Sequence, residues 1–334
     1  MDDFTSSPAW ESAPEADARV TLHYADEAST GALLARSKNV LGVVGYGGPV
    51  PAGVLVGGFV QAPLAPVAGG PVFEIWQATG PVRQCRTGPV SGACGGGLAF
   101  GAVRLEDVPG GGMEDVIERA YLAIFDFLAE TGCGEPIRFW NYLSAITADD
   151  QGMERYRRFN IGRHRAFLAR LHQSVPPAAS CLGALQGGSM IYFLAARKAA
   201  EAIENPRQVS AYAYPPVYGP CSPSFSRAGR HGAKLFISGT ASITGHETRH
   251  RGDLPGQIAE TLANLQALIG NAGMAIERAQ DWAFKIYLRD PSYQAEVEPA
   301  LDKVFGPGGQ RLYLAAEICR TDLLMEIEAF HSPG

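Results

Sequence analysis

The sequence predicts an α+β fold made of two tandem copies of one unit, each a mostly antiparallel sheet with two helices on one face. Residues 113–196 read as helix, strand, helix and two strands, and residues 257–330 repeat that order. The first hundred residues read as short apolar strands separated by Gly and Pro, which is an antiparallel pattern. With 334 residues, the chain is long enough for two such units.

Apolar periodicity and chain-breaking residues predict each element in turn. In the first hundred residues, strands are expected at Val20–Tyr24, Val40–Tyr46, Val54–Val60, Val72–Gln77 and Leu98–Leu105. A helix is expected at Met113–Thr131, whose apolar residues share one face and which ends before Gly132. The later elements are strand Ile137–Leu143, helix Met153–His172, strands Ser180–Gln186 and Met190–Ala196, helix Gln257–Ala272, strand Trp282–Leu288, helix Tyr293–Phe305, and strands Leu312–Ile318 and Leu323–Phe330. The boundary between the two units is expected near residues 197–207.

Composition excludes several classes of protein. Residues 1–18 are acidic and rich in Ser, Pro and Ala, so a flexible tail is expected there. The net charge of −6 argues against a nucleic-acid partner, which requires a basic surface. No apolar run is long enough to span a membrane, and the first residues lack the basic start of a signal peptide, so a cytoplasmic protein is expected. Six scattered cysteines predict buried, reduced thiols.

Two motifs resemble cofactor sites only superficially. His246–His250 matches the zinc motif H-E-x-x-H, but that motif requires a helix, and the flanking glycines predict a loop. The glycine clusters at 45–48, 57–58, 95–97 and 110–112 lack the strand–helix context and the pattern of a phosphate-binding loop. We therefore predict neither a metal nor an organic cofactor.

Two carboxyl groups and a thiol near the end of the chain are the most informative chemical feature. Glu326 and Glu328 are two residues apart on a predicted strand, so they point the same way. Cys319 precedes Glu326 by seven residues, close to the turn of what reads as one hairpin, so both can face one pocket. In an apolar pocket, desolvation would raise the pKa of Glu326 and make it an acid or base. Residue type alone makes Cys319 a buried thiol.

Four further segments carry candidate ligand-binding groups. Arg289 ends the strand before it and is either a carboxylate clamp or an ion pair with Asp290. Tyr212 and Tyr214 are expected on one face of a strand, as a pocket wall or as packing. Gly239 lies in the small, polar run 238–243, which permits a ligand to approach the backbone. The arginines of 155–170 form either an anion site or a solvated helix face.

Longer segments resemble the chorismatases from about residue 130 onward. They are Arg138–Leu143, Glu154–Arg163, Tyr212–Pro220, Ser238–Asp253, Tyr287–Arg289 and Cys319–Glu328. The ending Glu326–Ala329 is also similar to that of the imine deaminases of the RidA/YjgF family, whose fold chorismatases share in duplicated form. The resemblance implies a degenerate RidA-like domain at 19–200 and a second one at 201–334 that carries most of the active site.

For function, the resemblance implies cleavage of chorismate to pyruvate without a cofactor, with Glu326 as the essential carboxyl group. Arg289, Arg163, Tyr212 and Tyr214 are then candidates for holding the two substrate carboxylates. Members that aromatise the ring resemble this chain in having Gly232 and Cys319. That subtype forms 3-hydroxybenzoate, in some members together with 4-hydroxybenzoate.

Three alternatives stay open at this point. A hydrolytic chorismatase would release trans-3,4-dihydroxycyclohexa-1,5-diene carboxylate with pyruvate. A RidA-type enzyme would deaminate 2-imino acids, and a non-catalytic member would only bind a small acid. The oligomeric state is also open, between a monomer with an internal repeat and a trimer.

Overall fold

The computed structural model describes residues 20–48, 50, 58–67, 69–106, 112–171 and 175–333. The predicted tail 1–18 and most of the predicted strand Val54–Val60 lie outside these ranges. The helices are α1 Glu27–Arg36, α2 Met113–Thr131, α3 Arg155–Arg170, α4 Leu254–Asn271 and α5 Gln294–Phe305. The strands are β1 Thr21–Ala25, β2 Val40–Tyr46, β3 Phe59–Ala62, β4 Ala65–Pro66, β5 Phe73–Gln77, β6 Arg83–Thr87, β7 Val90–Gly95, β8 Leu98–Leu105, β9 Glu135–Ser144, β10 Asp149–Asp150, β11 Met153–Glu154, β12 Ala178–Ala184, β13 Ser189–Ala196, β14 Glu201–Ile203, β15 Ala228–His231, β16 Lys234–Thr240, β17 Ile243–Thr244, β18 Glu247–Thr248, β19 Trp282–Leu288, β20 Gln310–Ala315, β21 Glu317–Ile318 and β22 Met325–His331.

Two seven-stranded sheets repeat one topology, which confirms the predicted α+β fold and its internal duplication. The first sheet has the order β21-β12-β9-β13-β8-β7-β6, and the second has the order β14-β15-β16-β22-β19-β20-β4. Read in opposite directions, β12, β9, β13, β8, β7 and β6 correspond to β20, β19, β22, β16, β15 and β14. In both sheets the strand after the first helix pairs parallel with the strand after the second helix.

The apolar pattern of the sequence explains how these layers pack. Helices α2 and α3 cover the outer face of the first sheet through an aromatic cluster that includes Tyr121, Phe139 and Phe167. Helices α4 and α5 cover the second sheet through a mainly aliphatic cluster. The inner faces of both sheets meet in a third cluster, in which Trp140 contacts Trp76 and stacks on Tyr192. The centre of the molecule therefore lies between the sheets.

Several helix boundaries follow from local sequence signals. Helix α2 has the predicted bounds, and Gly132 ends it in the left-handed conformation, with φ of 68°. Asp253 caps α4 by accepting a hydrogen bond from the Gly256 amide, which places Pro255 in the first turn. Helix α1 was not predicted, because it buries only Thr30 and so has little apolar periodicity.

The first hundred residues differ from the simple antiparallel pattern that was predicted. Strands β1, β5, β2 and β3 form a separate four-stranded sheet, in which β2 and β3 are parallel. Strands β7 and β8 instead belong to the first seven-stranded sheet, together with the exposed edge strand β6. Short strands separated by turns look alike in a sequence, so the pattern did not distinguish the sheets.

The end of the chain also differs from the prediction of one hairpin. Strand β20 ends at Ala315, and β21 then crosses to pair with β12 of the first sheet. Strand β22 lies between β16 and β19 and pairs with neither β20 nor β21. In return, β4 from the first half pairs with β20 in the second sheet. Each large sheet therefore contains a strand from the other half, and the division at residue 200 stays a prediction.

No helix in the described parts of the chain is both long and apolar enough to cross a membrane. The expected cytoplasmic location stays a prediction.

Candidate active site

A cavity of about 580 Å³ opens where the two large sheets approach each other. At this place β12 and β16 are linked, because the Ala179 amide donates to Ser238 Oγ at 2.9 Å and the Gly239 amide donates to Ser180 Oγ at 3.0 Å. The segment 214–227, the start of α3 and the turn after β21 complete the walls. The cavity therefore draws its lining from both halves of the chain.

A β-bulge in β16 shapes the floor of this cavity. Ile237 pairs with Ala329 and Thr240 pairs with Ile327, so Ser238 and Gly239 together face one residue of β22. A methyl group at Gly239 would lie only 1.7 Å from Glu326 Oε1. Glycine at this position is therefore required for the observed placement of the Glu326 carboxyl group.

Glu326 is a buried acid at the cavity wall. It is only 5% exposed, and it lines the cavity from the centre of the second sheet. Burial, followed by the nearby charge of Glu328, raises its pKa to about 8, although Arg138, Arg227 and Arg320 act in the opposite direction. Glu326 is therefore mainly protonated at neutral pH and can donate a proton to a ligand.

Glu328 is as buried as Glu326, but its carboxyl group is ionised rather than protonated. Burial alone would raise its pKa, but the charges of Lys285 and Arg138 outweigh burial and lower it. Its oxygens lie 3.0 Å from Lys285 Nζ and 2.8 Å from Arg138 Nη2. The side chains of Ser180, Trp140 and Tyr287 also donate hydrogen bonds to it. Two carboxyl groups on one strand face are thus driven to different charge states.

The thiol of Cys319 shares the cavity with Glu326, although no hairpin joins them, because Cys319 follows β21 of the first sheet and Glu326 lies on β22 of the second. Burial, followed by the neighbouring charge of Glu326, raises the pKa of Cys319 to about 12. The sulfur is therefore a neutral thiol at physiological pH. Such a group can give or accept a hydrogen bond, but it is not a thiolate nucleophile.

Positive charge exceeds negative charge around the cavity. Its walls contain the arginines Arg157, Arg163, Arg227, Arg251 and Arg320. They also contain the carboxyl groups of Glu154, Glu247 and Asp322 in addition to Glu326. With Glu326 protonated, the five arginines outnumber the three carboxylates by two. An acidic protein thus contains a local site for an anion with two negative charges.

Arg163, Arg227 and Arg320 are held firmly within this site. Arg163 is 1% exposed, and its Nε has no hydrogen-bond partner among the described residues. Arg227 donates to the Tyr214 hydroxyl at 2.9 Å, and its guanidinium lies over the Tyr214 ring. Arg320 donates to the His246 carbonyl at 2.9 Å and lies 4.5 Å from the centre of the Tyr218 ring. Such restrained guanidinium groups suit carboxylate recognition.

The structure corrects three of the predicted substrate-binding positions. Arg289 does not reach the cavity, because its guanidinium donates to the carbonyls of Leu323 and Arg320 and thereby supports the turn after β21. Gly232 lies in the turn between β15 and β16, with φ of 59°, at the opposite end of β16 from Gly239. Neither residue lines the cavity.

The third correction concerns Tyr212. Residues 211–213 form a 3₁₀ turn rather than a strand, so Tyr212 and Tyr214 do not share a face. Tyr212 is 43% exposed and lies outside the cavity, whereas Tyr214 is buried and lines it. The two prolines that follow Tyr214 favour turns over a strand, which explains the difference.

The other predicted motifs are now placed. The segment His246–His250 forms part of the β17–β18 hairpin, not a helix, as its flanks predicted. Among the described residues, no group of three or more metal-ligating side chains is assembled. Both interpretations of the arginines in α3, an anion site and a solvated helix face, apply to different residues. Arg163 lines the cavity, whereas Arg165 and Arg170 form exposed ion pairs with α2.

Sequence reasoning missed several groups that shape the site. Arg227 and Arg320 precede or follow short strands, where no motif distinguishes a pocket arginine from a surface one. Ser180 and Arg138 belong to β12 and β9, and reach Glu328 only through contact between the sheets. The signal for Arg138 was its position inside the apolar strand β9, where a cation needs a buried partner.

Comparisons with known proteins agree with this geometry. Residues 74–195 match the family model "Chorismatase FkbO/Hyg5-like, N-terminal". The chain is 34% identical to a 3-hydroxybenzoate synthase of Streptomyces hygroscopicus, over 87% of this chain and 91% of that protein. It is 35% identical to a chorismatase of Streptomyces rapamycinicus, over 76% of this chain and 80% of the relative.

A solved structure gives the same result for the whole fold. A crystal structure of a chorismatase at 1.08 Å resolution superposes with a TM-score of 0.84, at 28% identity. The superposition covers 95% of this chain and 99% of that one. Sequence and structure thus agree over nearly the full length, and this chain belongs to the chorismatase family.

Proposed function

We propose that this enzyme removes the enolpyruvyl group of chorismate as pyruvate and converts the ring to 3-hydroxybenzoate. A relative that is 34% identical and covered to 91% of its length is named for that product, and two others are named as chorismatases. The assay should also measure 4-hydroxybenzoate, the second aromatic product that the proposal allows.

One observation carries the proposal: the carboxyl group of Glu326, whose pKa is raised mainly by burial, faces a cavity lined by five arginines. Chorismate carries two carboxylates and an enol ether, so it requires both cationic partners and a proton donor. Arg163, Arg227 and Arg320, with the hydroxyl of Tyr214, are suited to hold the carboxylates.

Glu326 has the role of general acid in this proposal. Transfer of its proton to the enol ether methylene creates the methyl group of pyruvate and leaves an oxocarbenium ion beside the carboxylate that forms. The negative charge on Glu326 then stabilises this cation. Arg138, Arg227 and Arg320 are close enough to favour the carboxylate once the proton has left.

Cys319 is proposed to act at the aromatisation stage. Cleaving the enol ether by water consumes one water molecule, and dehydrating the ring returns one, so 3-hydroxybenzoate and pyruvate together contain the atoms of chorismate. The proton in the water that leaves comes from a ring carbon, and its loss makes the ring aromatic. The neutral thiol of Cys319, which lies in the same cavity as Glu326, is our candidate for relaying that proton.

Incubation of the purified protein with chorismate, followed by separation of the acids, tests the proposal. Pyruvate is expected in an amount equal to 3-hydroxybenzoate together with any 4-hydroxybenzoate, and Glu326→Gln should remove most turnover. Pyruvate together with the dihydroxy acid would indicate the hydrolytic alternative. Ammonia from 2-imino acids would indicate the RidA-type alternative, and binding without turnover would indicate a small-acid binder.

A further inference from the structure

A chain of buried charges leads away from the cavity into the centre of the molecule. Glu328 contacts Arg138 on one side and Lys285 on the other, and Lys285 Nζ continues to Glu74 Oε2 at 2.6 Å. Lys285 and Glu74 are fully buried, with 1% and 0% of their side chains exposed. This charge network joins β9 of the first sheet, β19 and β22 of the second and β5 of the four-stranded sheet.

The end of this network lies beside the proposed acid. Glu326 and Glu328 point from the same face of β22, and Ser180 Oγ donates a 2.7 Å hydrogen bond to Glu328. A methyl group at Gly239 would lie 3.1 Å from that hydroxyl and 1.7 Å from Glu326 Oε1, so both oxygens lie next to Gly239. Glu328 is therefore an anion on the same strand face as Glu326, and its charge acts on the Glu326 carboxyl group.

Burying so many charges is costly, and their arrangement needs a reason. Replacement of a buried ion pair by apolar residues of similar size is often neutral or stabilising, so stability alone does not explain the network. Its geometry holds one carboxylate ionised through two cations and three hydrogen-bond donors. A second ionised carboxylate at the same site would be repelled.

We propose that Glu328 is a positioning residue, a permanently ionised carboxylate whose charge keeps the neighbouring Glu326 in its proton-donating form. This inference rests on the proposed role of Glu326 as the acid. Glu328 does not line the cavity, so it acts through Glu326 rather than on the substrate. The network beyond it serves to keep its charge in place.

Other groups also face Glu326 and define the test. Arg138, Arg227 and Arg320 favour its ionised form. Tyr156 from α3, Cys181 from β12 and Cys319 have pKa values well above neutrality, so they stay uncharged over the useful pH range. Glu328 is thus the anion whose removal leaves burial as the main effect that opposes the three arginines at Glu326.

The experiment measures kcat/KM for chorismate against pH, because this profile reports the ionisation of the free enzyme. In the unmodified protein, activity should fall as the pH rises through the pKa of Glu326. In Glu328→Gln, this fall should occur at a pH that is at least about one unit lower. The kcat/KM of this variant at pH 8 should therefore be at least roughly tenfold below its own kcat/KM at pH 6.

A matched pair of variants protects the test against misfolding. Glu328→Gln removes the carboxylate near Glu326 and leaves Lys285 paired with Glu74, whereas Glu74→Gln removes the distant carboxylate and leaves Lys285 paired with Glu328. In the first variant, kcat/KM should fall at a lower pH than in the unmodified protein. In the second variant, kcat/KM should fall at the same pH as in the unmodified protein. Circular dichroism checks that both are folded.

Infrared spectroscopy provides a reading that does not depend on turnover. The C=O stretch of a protonated carboxyl group should disappear as the pH rises towards 9, should be absent in Glu326→Gln, and should titrate at lower pH in Glu328→Gln. Identical pH limits and identical infrared midpoints with and without Glu328 would overturn the inference. An unmodified protein that does not convert chorismate would instead overturn the proposed function.

Discussion

Gly239 and Glu326 form one structural unit, because the carboxyl group of Glu326 occupies the space that any side chain at position 239 would need. Gly239→Ala should displace the acid and reduce kcat for chorismate at least about tenfold, since an overpacked core shifts its neighbours. Steady-state kinetics with the purified variant measure this loss. Gly232→Ala is the control: its positive φ should cost roughly 1 kcal/mol of stability, with kcat unchanged because Gly232 lies outside the cavity. Full activity in Gly239→Ala would contradict the assignment.

The raised pKa of Glu326 should appear in protein stability. Between about pH 4.5 and 8 the unfolded chain releases the proton of this group, while the folded chain keeps it, so the folded state loses stability as the pH rises. Glu326→Gln should therefore be more stable than the unmodified protein at pH 9, by roughly 2–4 kcal/mol, and nearly equal to it at pH 4. Urea unfolding at both pH values measures the difference. Glu296→Gln on the exposed side of α5 should change neither value.

Cys319 should control the product rather than the first chemical step. Cys319→Ala removes the thiol that is placed to relay the ring proton, so the yield of 3-hydroxybenzoate should fall relative to pyruvate. Chromatography of the acids measures this ratio. Cys133→Ala provides a matched control, because this thiol is also buried and has a raised pKa of about 11, but lies outside the cavity. An unchanged ratio in Cys319→Ala would restrict the thiol to packing.

Arg163 should contribute mainly to substrate binding. Arg163→Met removes a buried guanidinium of the cavity, so KM for chorismate should rise about 10- to 100-fold, with a smaller change in kcat. Arg165→Met on the same helix loses only exposed ion pairs with Asp115 and Glu118 and should change KM less than about twofold. Equal effects of the two substitutions would show that Arg163 has no specific role.

The sequence predicted the elements well where periodicity and chain breakers agree. Helix α2 and strands β2, β8 and β19 have the expected bounds, and the repeated order of elements revealed the duplication. Strand partners could not be predicted, because pairing depends on contacts between distant segments. The crossing of β21 to the first sheet is such a case, since no local signal in Glu317–Ile318 specifies a partner.

Residue chemistry and the family resemblance together named five residues that share one cavity, and the roles of these residues stay predictions. Glu326, Cys319, Gly239, Arg163 and Tyr214 all line the cavity. Arg289, Gly232 and Tyr212 do not, because the direction of a side chain at a strand end or in a turn depends on backbone angles that residue type does not determine. The partners of Glu328 could not be predicted either, because Arg138 and Lys285 lie in different sheets and come together only in the folded chain.

Strand β22 occupies an interior place in its sheet, between β16 and β19, although it is the last strand in the described chain. During translation, therefore, β16 and β19 are synthesised while the place between them is still empty. Neither Glu326 nor Glu328 can reach its partners before residues 325–331 have left the ribosome, and until then Lys285 and Arg138 lack the carboxylate that pairs them. The order of synthesis thus makes completion of the sheet and assembly of the active site a single late event.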